Sequence, residues 1–265
     1  TNNHRLQLFY QGNLVCDLEM EFLHHGRPQL VAEAVWEQAR HIEPDFVPPL
    51  DLGDALLTVL SSWNVCSKEW VIRQYDHEVQ GTSVLKPLVG KNNDGPSDAA
   101  IIKPVLDSKM GVVISNGINP KYGEIDPYWM AASAIDEALR QIIAVGGSLR
   151  RVALLDNFSW GNTNRPDMLG ALVRAAQACY DMATIYETPF ISGKDSLNNE
   201  FEFEGKTISI PHTLLISAIS IMEDVNRAVS MDFKKAGDLI YIVGTTQNEL
   251  GGSEYFRTHG FIGNR

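Results

Sequence analysis

The chain has 265 residues, 44% hydrophobic and 21% charged, which are the proportions of a folded globular protein and not of a disordered one. Its formal net charge of −11, from 22 basic against 33 acidic residues, argues against a general nucleic-acid binder, which needs a basic face to neutralise phosphates. No apolar run approaches the roughly 20 residues of a membrane helix. The cysteines Cys16, Cys66 and Cys179 are scattered, with no CxxC pair, so a reducing cytoplasmic setting is expected.

Two strands are predicted at 6–10 and 14–20, joined through Gln11-Gly12-Asn13. Glu43-Pro44-Asp45 and Val47-Pro48-Pro49 then break the chain. A two-stranded unit buries too little surface to stand alone, so residues 1–45 read as the end of a preceding domain plus a linker. Leu52, Ala55, Leu56 and Val59 give helical spacing from 51 to 60. A longer helix is predicted from 127, with Asp126 as N-cap and Pro127 in its first turn. Its apolar stripe runs through Met130, Ala134, Ile135, Ala138, Ile142 and Val145, and Gly146-Gly147 stops it. A short strand at 151–155 leads into Asp156. Another helix opens at Arg165-Pro166-Asp167, passes Leu172, Ala176 and Cys179, and ends before Pro189. Residues 190–192 read as a strand entering a glycine turn at Gly193. The β-rich stretches 207–210 and 213–222 are expected to pair around Pro211-His212. This alternation between about 110 and 222 predicts a mixed α/β domain. A charged turn at 234–238 and an apolar strand at 239–243 suggest that another domain begins within 226–265.

Four segments carry candidate chemistry. Gly95-Pro96-Ser97-Asp98 delivers a carboxylate just before an apolar strand, although turn aspartates are common. Glu137 and Gln141 lie four apart on one helix face, with oxygens that suit a hard cation; the same spacing is also common on solvated helix faces. Ser192-Gly193-Lys194-Asp195-Ser196 combines a glycine for close approach, a cation, a carboxylate and a hydroxyl, or is a plain polar turn. It is not a P-loop: Thr188 stands where GxxxxGK[ST] needs its first glycine, and Asp195 follows Lys194. Asp156 ends a strand, a usual place for ligand groups, and equally suits a capping role. His77 reads as a structural or surface histidine.

Taken together, Ser67 to Gln80, Gly95 to Ala100, Leu155-Asp156-Asn157-Phe158 with Gly161-Asn162, Ser192 to Glu200, and Met231 to Leu239 resemble the second half of the phosphoribosylformylglycinamidine synthase family. The resemblance runs from about residue 50 to the end. It implies an α+β fold: an AIR-synthetase (PurM) N-terminal-like β-rich domain with packed helices over 46–225, flanked by truncated pieces of neighbouring α/β domains. It also implies an ATP-dependent C–N ligase that converts formylglycinamide ribonucleotide and glutamine-derived ammonia to the amidine. ATP would activate the amide oxygen and ammonia would displace phosphate, with Mg2+ neutralising the transferring group.

Carried over by position, Asp156 and Gly193 resemble nucleotide contacts and Ser196 a substrate contact. Asp98, Glu137, Gln141 and Asp195 resemble metal ligands, with Gln141 in place of the usual asparagine. Lys194 replaces an asparagine ligand of the small-subunit form. The family's catalytic histidines belong to the first half, so an internal section such as this is expected to be inactive alone. Its partners would be the missing first half, a glutaminase subunit and a small accessory subunit, with no nucleic acid or membrane. Two alternatives stay open. One is a scaffold half with a decayed site. The other is a further ATP-dependent enzyme of the superfamily, such as a thiamine-phosphate kinase, which an aspartate-rich N-terminal site would favour; only Asp98 stands in a suitable turn.

Overall fold

A computed structural model describes residues 3–74 and 78–264. His77 lies outside these residues. The chain divides into two units, Thr1–Glu33 and Ala34–Arg265. In the first, β1 (Arg5–Tyr10) and β2 (Asn13–Glu19) form the expected hairpin, followed by α1 (Met20–His25). The turn is the two residues Gln11 and Gly12, both left-handed, as a tight hairpin of this hand requires.

In the second unit, α2 (Leu52–Ser61) and α3 (Glu69–Ile72) precede four short strands, β3 (Ser83–Leu85), β4 (Leu88–Val89), β5 (Gly95–Pro96) and β6 (Ala100–Ile102). Then come β7 (Gly111–Ile118), α4 (Pro120–Gly123), α5 (Pro127–Ala144), β8 (Val152–Ser159), α6 (Pro166–Tyr186) and β9 (Phe190–Ser196). The hairpin β10 (Glu200–Phe203) and β11 (Lys206–Ser209), β12 (Thr213–Met222) and α7 (Glu254–Thr258) complete the set. The central sheet runs β3-β6-β7-β12-β8-β9, antiparallel except for the parallel pair β8 and β9.

Strand alternation gives the sheet two different faces. Val113, Leu154, Leu214, Ile216 and Ala218 are buried beneath α5 and α6. The intervening residues Ile114, Ile118 and Ile219 stay exposed on the other face. The α5 stripe is alanine-rich where it meets the sheet, with Ala131, Ala134 and Ala138 fully buried, so the helix lies close to the strands. Its start is fixed twice: the Asp126 side chain caps Tyr128 N–H, and the Arg174 guanidinium clamps the same carboxylate with two 2.6 Å bonds.

Several elements differ from expectation. The segments 207–210 and 213–222 do not pair with each other. The first closes a local hairpin with β10, and β12 inserts between β7 and β8, where its alternating apolar residues are buried. Residues 239–243 join no ladder among the described residues and are exposed. Residues from 34 onward pack within the second unit. Val35 N–H donates to Pro166 O, Trp36 lies under Arg174 at 4.1 Å, and His41 exchanges bonds with Asn264. Finally, β9 does not stop at Ser192. Pairing with β8 carries it as a strand to Ser196.

Candidate functional site

The expected site residues fall into two clusters. The first forms along α5. Asp98, Ser133, Asp136, Glu137, Arg140, Gln141 and Ala144 line a hollow of about 320 Å3. β6 pairs with β7 only as far as Ile114, which leaves the backbone N–H groups of Asn116 and Ile118 without a strand partner on that side. Side chains of α5 fill the gap: Gln141 Oε1 accepts from Asn116 N at 3.3 Å, and Glu137 Oε2 accepts from Ile118 N at 3.1 Å and Asn119 Nδ2 at 3.0 Å. These bonds fix both side chains and leave Glu137 Oε1 and the Asp98 carboxylate as the donors still able to face a ligand.

The second cluster lies at the β8–β9 edge. The register sets Asp156 opposite Gly193, Asn157 opposite Lys194, Phe158 opposite Asp195 and Ser159 opposite Ser196. The Asp156 carboxylate occupies the space above Gly193, where an added β-carbon would stand 2.1 Å from Oδ1. Burial and then the Asp195 charge raise the Asp156 pKa, and a bond from Lys194 N–H opposes them. Burial, and after it the Asp156 charge, pushes the Cys179 thiol beneath this edge up to about 12, so it stays protonated. Because β9 is a strand, its motif is split between faces: Gly193 and Asp195 share the helix side with Asp156, while Lys194 and Ser196 share the other and hydrogen-bond to each other. On that second face Asn157 Oδ1 is buried and has no partner. The connection leaving β8 is pinned by Glu200, whose Oε1 accepts from Asn162 N at 2.9 Å and from Ser209 Oγ.

The structure thus brings Asp98, Glu137 and Gln141 together and does not bring Asp195 to them. β12 and β8 separate the strands carrying the two clusters, roughly 14 Å at about 4.8 Å per strand. An Mg2+–oxygen bond spans about 2.1 Å, so one ion cannot take ligands from both. No group of three or more His, Cys, Asp or Glu residues suited to a metal occurs among the described residues. The first cluster therefore does not fit a stand-alone metal cage. It does fit Mg2+ held by one or two carboxylates together with a ligand's phosphates, the usual habit of that ion. Asn157, Asn119 and Glu200 were not singled out from the sequence as site residues. The alternation of Asp156, Asn157 and Phe158 between faces was the available signal for Asn157.

Comparison with known proteins identifies the class first. Residues 96–215 match the family described as AIR synthase related protein, N-terminal domain. The chain is 38% identical over 259 residues to phosphoribosylformylglycinamidine synthase subunit PurL of Ignicoccus hospitalis, covering 96% of this chain and 34% of that protein. It is 36% identical over 253 residues to the Methanocaldococcus jannaschii subunit, covering 94% and 33%. The chain belongs to the phosphoribosylformylglycinamidine synthase PurL family, and it spans about a third of the length of the curated relatives it matches. Among solved structures, Thermotoga maritima PurL complexed with ATP matches at a TM-score of 0.56 and 18% identity, covering 85% of this chain and 32% of that one. The same protein complexed with FGAR matches at 0.53 and 19%, with the same coverage. At these identities the structural likeness establishes the fold, which is the expected α+β one.

Proposed function

We propose that this chain is part of an ATP-dependent phosphoribosylformylglycinamidine synthase and supplies a magnesium–nucleotide pole built on α5. The observation that carries the proposal is the shared hollow of Asp98, Glu137 and Gln141, with two of the three side chains held in place by the free edge of β7. Bound there, Mg2+ and a nucleotide would supply phosphate charge neutralisation. Asp98 and Glu137 Oε1 would hold the ion, Gln141 would set the helix-to-strand distance, and Arg140 stands at the rim for phosphate oxygens.

Ser196, on the same face of the β8–β9 edge as Lys194 and Asn157, forms the second pole of the same reading and faces the phosphorylated reactants, while Asp156, Gly193 and Asp195 line the helix side of that edge. Its support is the unpaired, buried Asn157 Oδ1 in register with Lys194, an acceptor that a ligand's N–H or O–H would satisfy. The activity as a whole would also require the family's first half, with a glutaminase subunit and a small accessory subunit as partners. PurL of Thermotoga maritima is itself known in a structure named PurLQS.

Titration calorimetry of the chain with ADP, with and without Mg2+, tests the first pole. Wild type and Asp195→Ala should bind in a magnesium-dependent way, and Asp98→Ala and Glu137→Ala should lose that binding. Absence of heat from wild type would favour a second reading, a pairing scaffold with a decayed site, for which the separation of Asp195 from the other three expected ligands already speaks.

A further inference from the structure

We infer that the nucleotide pole continues along α5 into a base-binding cavity whose stacking platform is Trp129; this rests on the magnesium–nucleotide reading above and deepens it. Beside the metal hollow lies a cavity of about 700 Å3, walled by Tyr122, Trp129, Met182 and Tyr186, with Gln38 and Ser133 among its polar groups. Apolar walls with a few placed polar groups are the usual make-up of a small-molecule site. Ser133 and Asp136 line both hollows, so the two adjoin.

The connection follows from helix geometry. Trp129, Ser133, Glu137 and Gln141 are successive members of one i, i+4 ridge. From Trp129 to Glu137 the ridge climbs about 12 Å, close to the reach of a nucleoside diphosphate from base to terminal phosphate. Trp129 is 63% exposed although it sits on a helix whose other large apolar residues are mostly buried. Tyr128 meets it edge-on at 5.1 Å, which steadies the ring and leaves a face open.

Of the three carboxylates that line this cavity, the two at α5 are paired, and Glu249 is the third. Asp136 is paired with Arg140 and accepts from Tyr186 Oη at 2.8 Å, and Asp126 is clamped by Arg174. With the carboxylates on the cavity's helical wall neutralised, the phosphates would meet Arg140 and a shared Mg2+, and the base would meet the indole.

The test compares Mg·ADP with Mg·pyrophosphate, which keeps the phosphates and lacks the base. Calorimetry on wild type, Trp129→Ala and Trp129→Phe reads both ligands, and thermal melts confirm that each variant is folded. Trp129→Ala should weaken ADP roughly tenfold or more, the usual loss of a base–aromatic stack, and leave pyrophosphate unchanged; Trp129→Phe should retain most of the ADP affinity. ADP affinity that is equal in wild type and Trp129→Ala overturns the base cavity and leaves the magnesium–nucleotide reading standing. Equal loss of both ligands in Trp129→Ala overturns it too. If wild type binds neither ligand, the underlying reading falls and this inference falls with it.

Discussion

Gly193→Ala isolates the packing at the β8–β9 edge. The added β-carbon would stand 2.1 Å from Asp156 Oδ1 and 2.7 Å from its Cγ, well inside contact distance. Both residues are paired strand residues, so the backbone cannot move apart without breaking the ladder; the Asp156 side chain must turn away. In turning it loses the bond from Lys194 N–H and regains some hydration and distance from Asp195. Overpacking costs about 1–3 kcal/mol, and the lost Lys194 bond, the weakest of the three influences on Asp156, is offset by rehydration and distance from Asp195. A net loss of about 2 kcal/mol is expected. In an Asp156→Ala background the obstacle is gone, and the same substitution should be neutral or slightly stabilising, because alanine restricts the unfolded chain. The double-mutant cycle should then show a coupling of at least about 1 kcal/mol. Urea unfolding followed by circular dichroism reads it, with an unchanged m-value as the control. If Gly193→Ala costs the same in both backgrounds, the carboxylate is not what excludes a side chain there, and the steric account is wrong.

The raised pKa of Asp156, due first to burial and then to Asp195, gives a pH prediction. The folded state holds this proton more tightly than the unfolded chain, so stability falls as pH rises from the ordinary carboxylate range, about pH 4, through the raised value. Asp156→Asn should therefore melt higher than wild type at neutral pH, with a gap that closes on acidification; a gap independent of pH would contradict the burial account. Arg174→Ala would strand Asp126, 4% exposed, without its partner and should cost about 3 kcal/mol or more in urea unfolding, with only partial recovery in Arg174→Lys because lysine lacks the planar fork. A loss below about 1 kcal/mol would mean that the helix cap alone satisfies the carboxylate.

The parts of the fold that were legible in the sequence are those fixed by local chemistry. Asp126-Pro127 and Gly146-Gly147 bracket α5 because capping and helix termination act within a few residues, and the Gln11-Gly12 turn sets its hairpin for the same reason. What was not legible depends on partners distant in sequence. Nothing within 207–222 tells β12 to leave its neighbour and enter between β7 and β8; that choice is made by the burial available under α5 and α6. The same holds for the site. The spacing of Glu137 and Gln141 gave their shared face, and the structure adds that they close the edge of β7. The glycine motif misled because a polar stretch containing glycine reads locally as a turn. Parallel pairing with β8 makes it a strand, and alternation then sends Lys194 and Ser196 away from Gly193 and Asp195.

Position 117 links this packing to the proposed chemistry. A β-carbon on Gly117 would stand 2.0 Å from the Ala134 carbonyl oxygen and 3.1 Å from Glu137 Cβ, so β7 and α5 touch backbone to backbone at that point. One residue row away, Ser115 Oγ donates to Ala138 O at 2.7 Å, so the closeness is held by a buried hydrogen bond as well as by small side chains. Only at that separation does a glutamate on α5 reach the Ile118 N–H and a glutamine reach the Asn116 N–H. Moving the helix outward by the width of a methyl group would break both bonds and release the two ligand-bearing side chains into solvent. The alanine stripe that buries α5 and the oxygen donors along its rim are therefore one arrangement, in which core packing determines where the cation-facing oxygens stand.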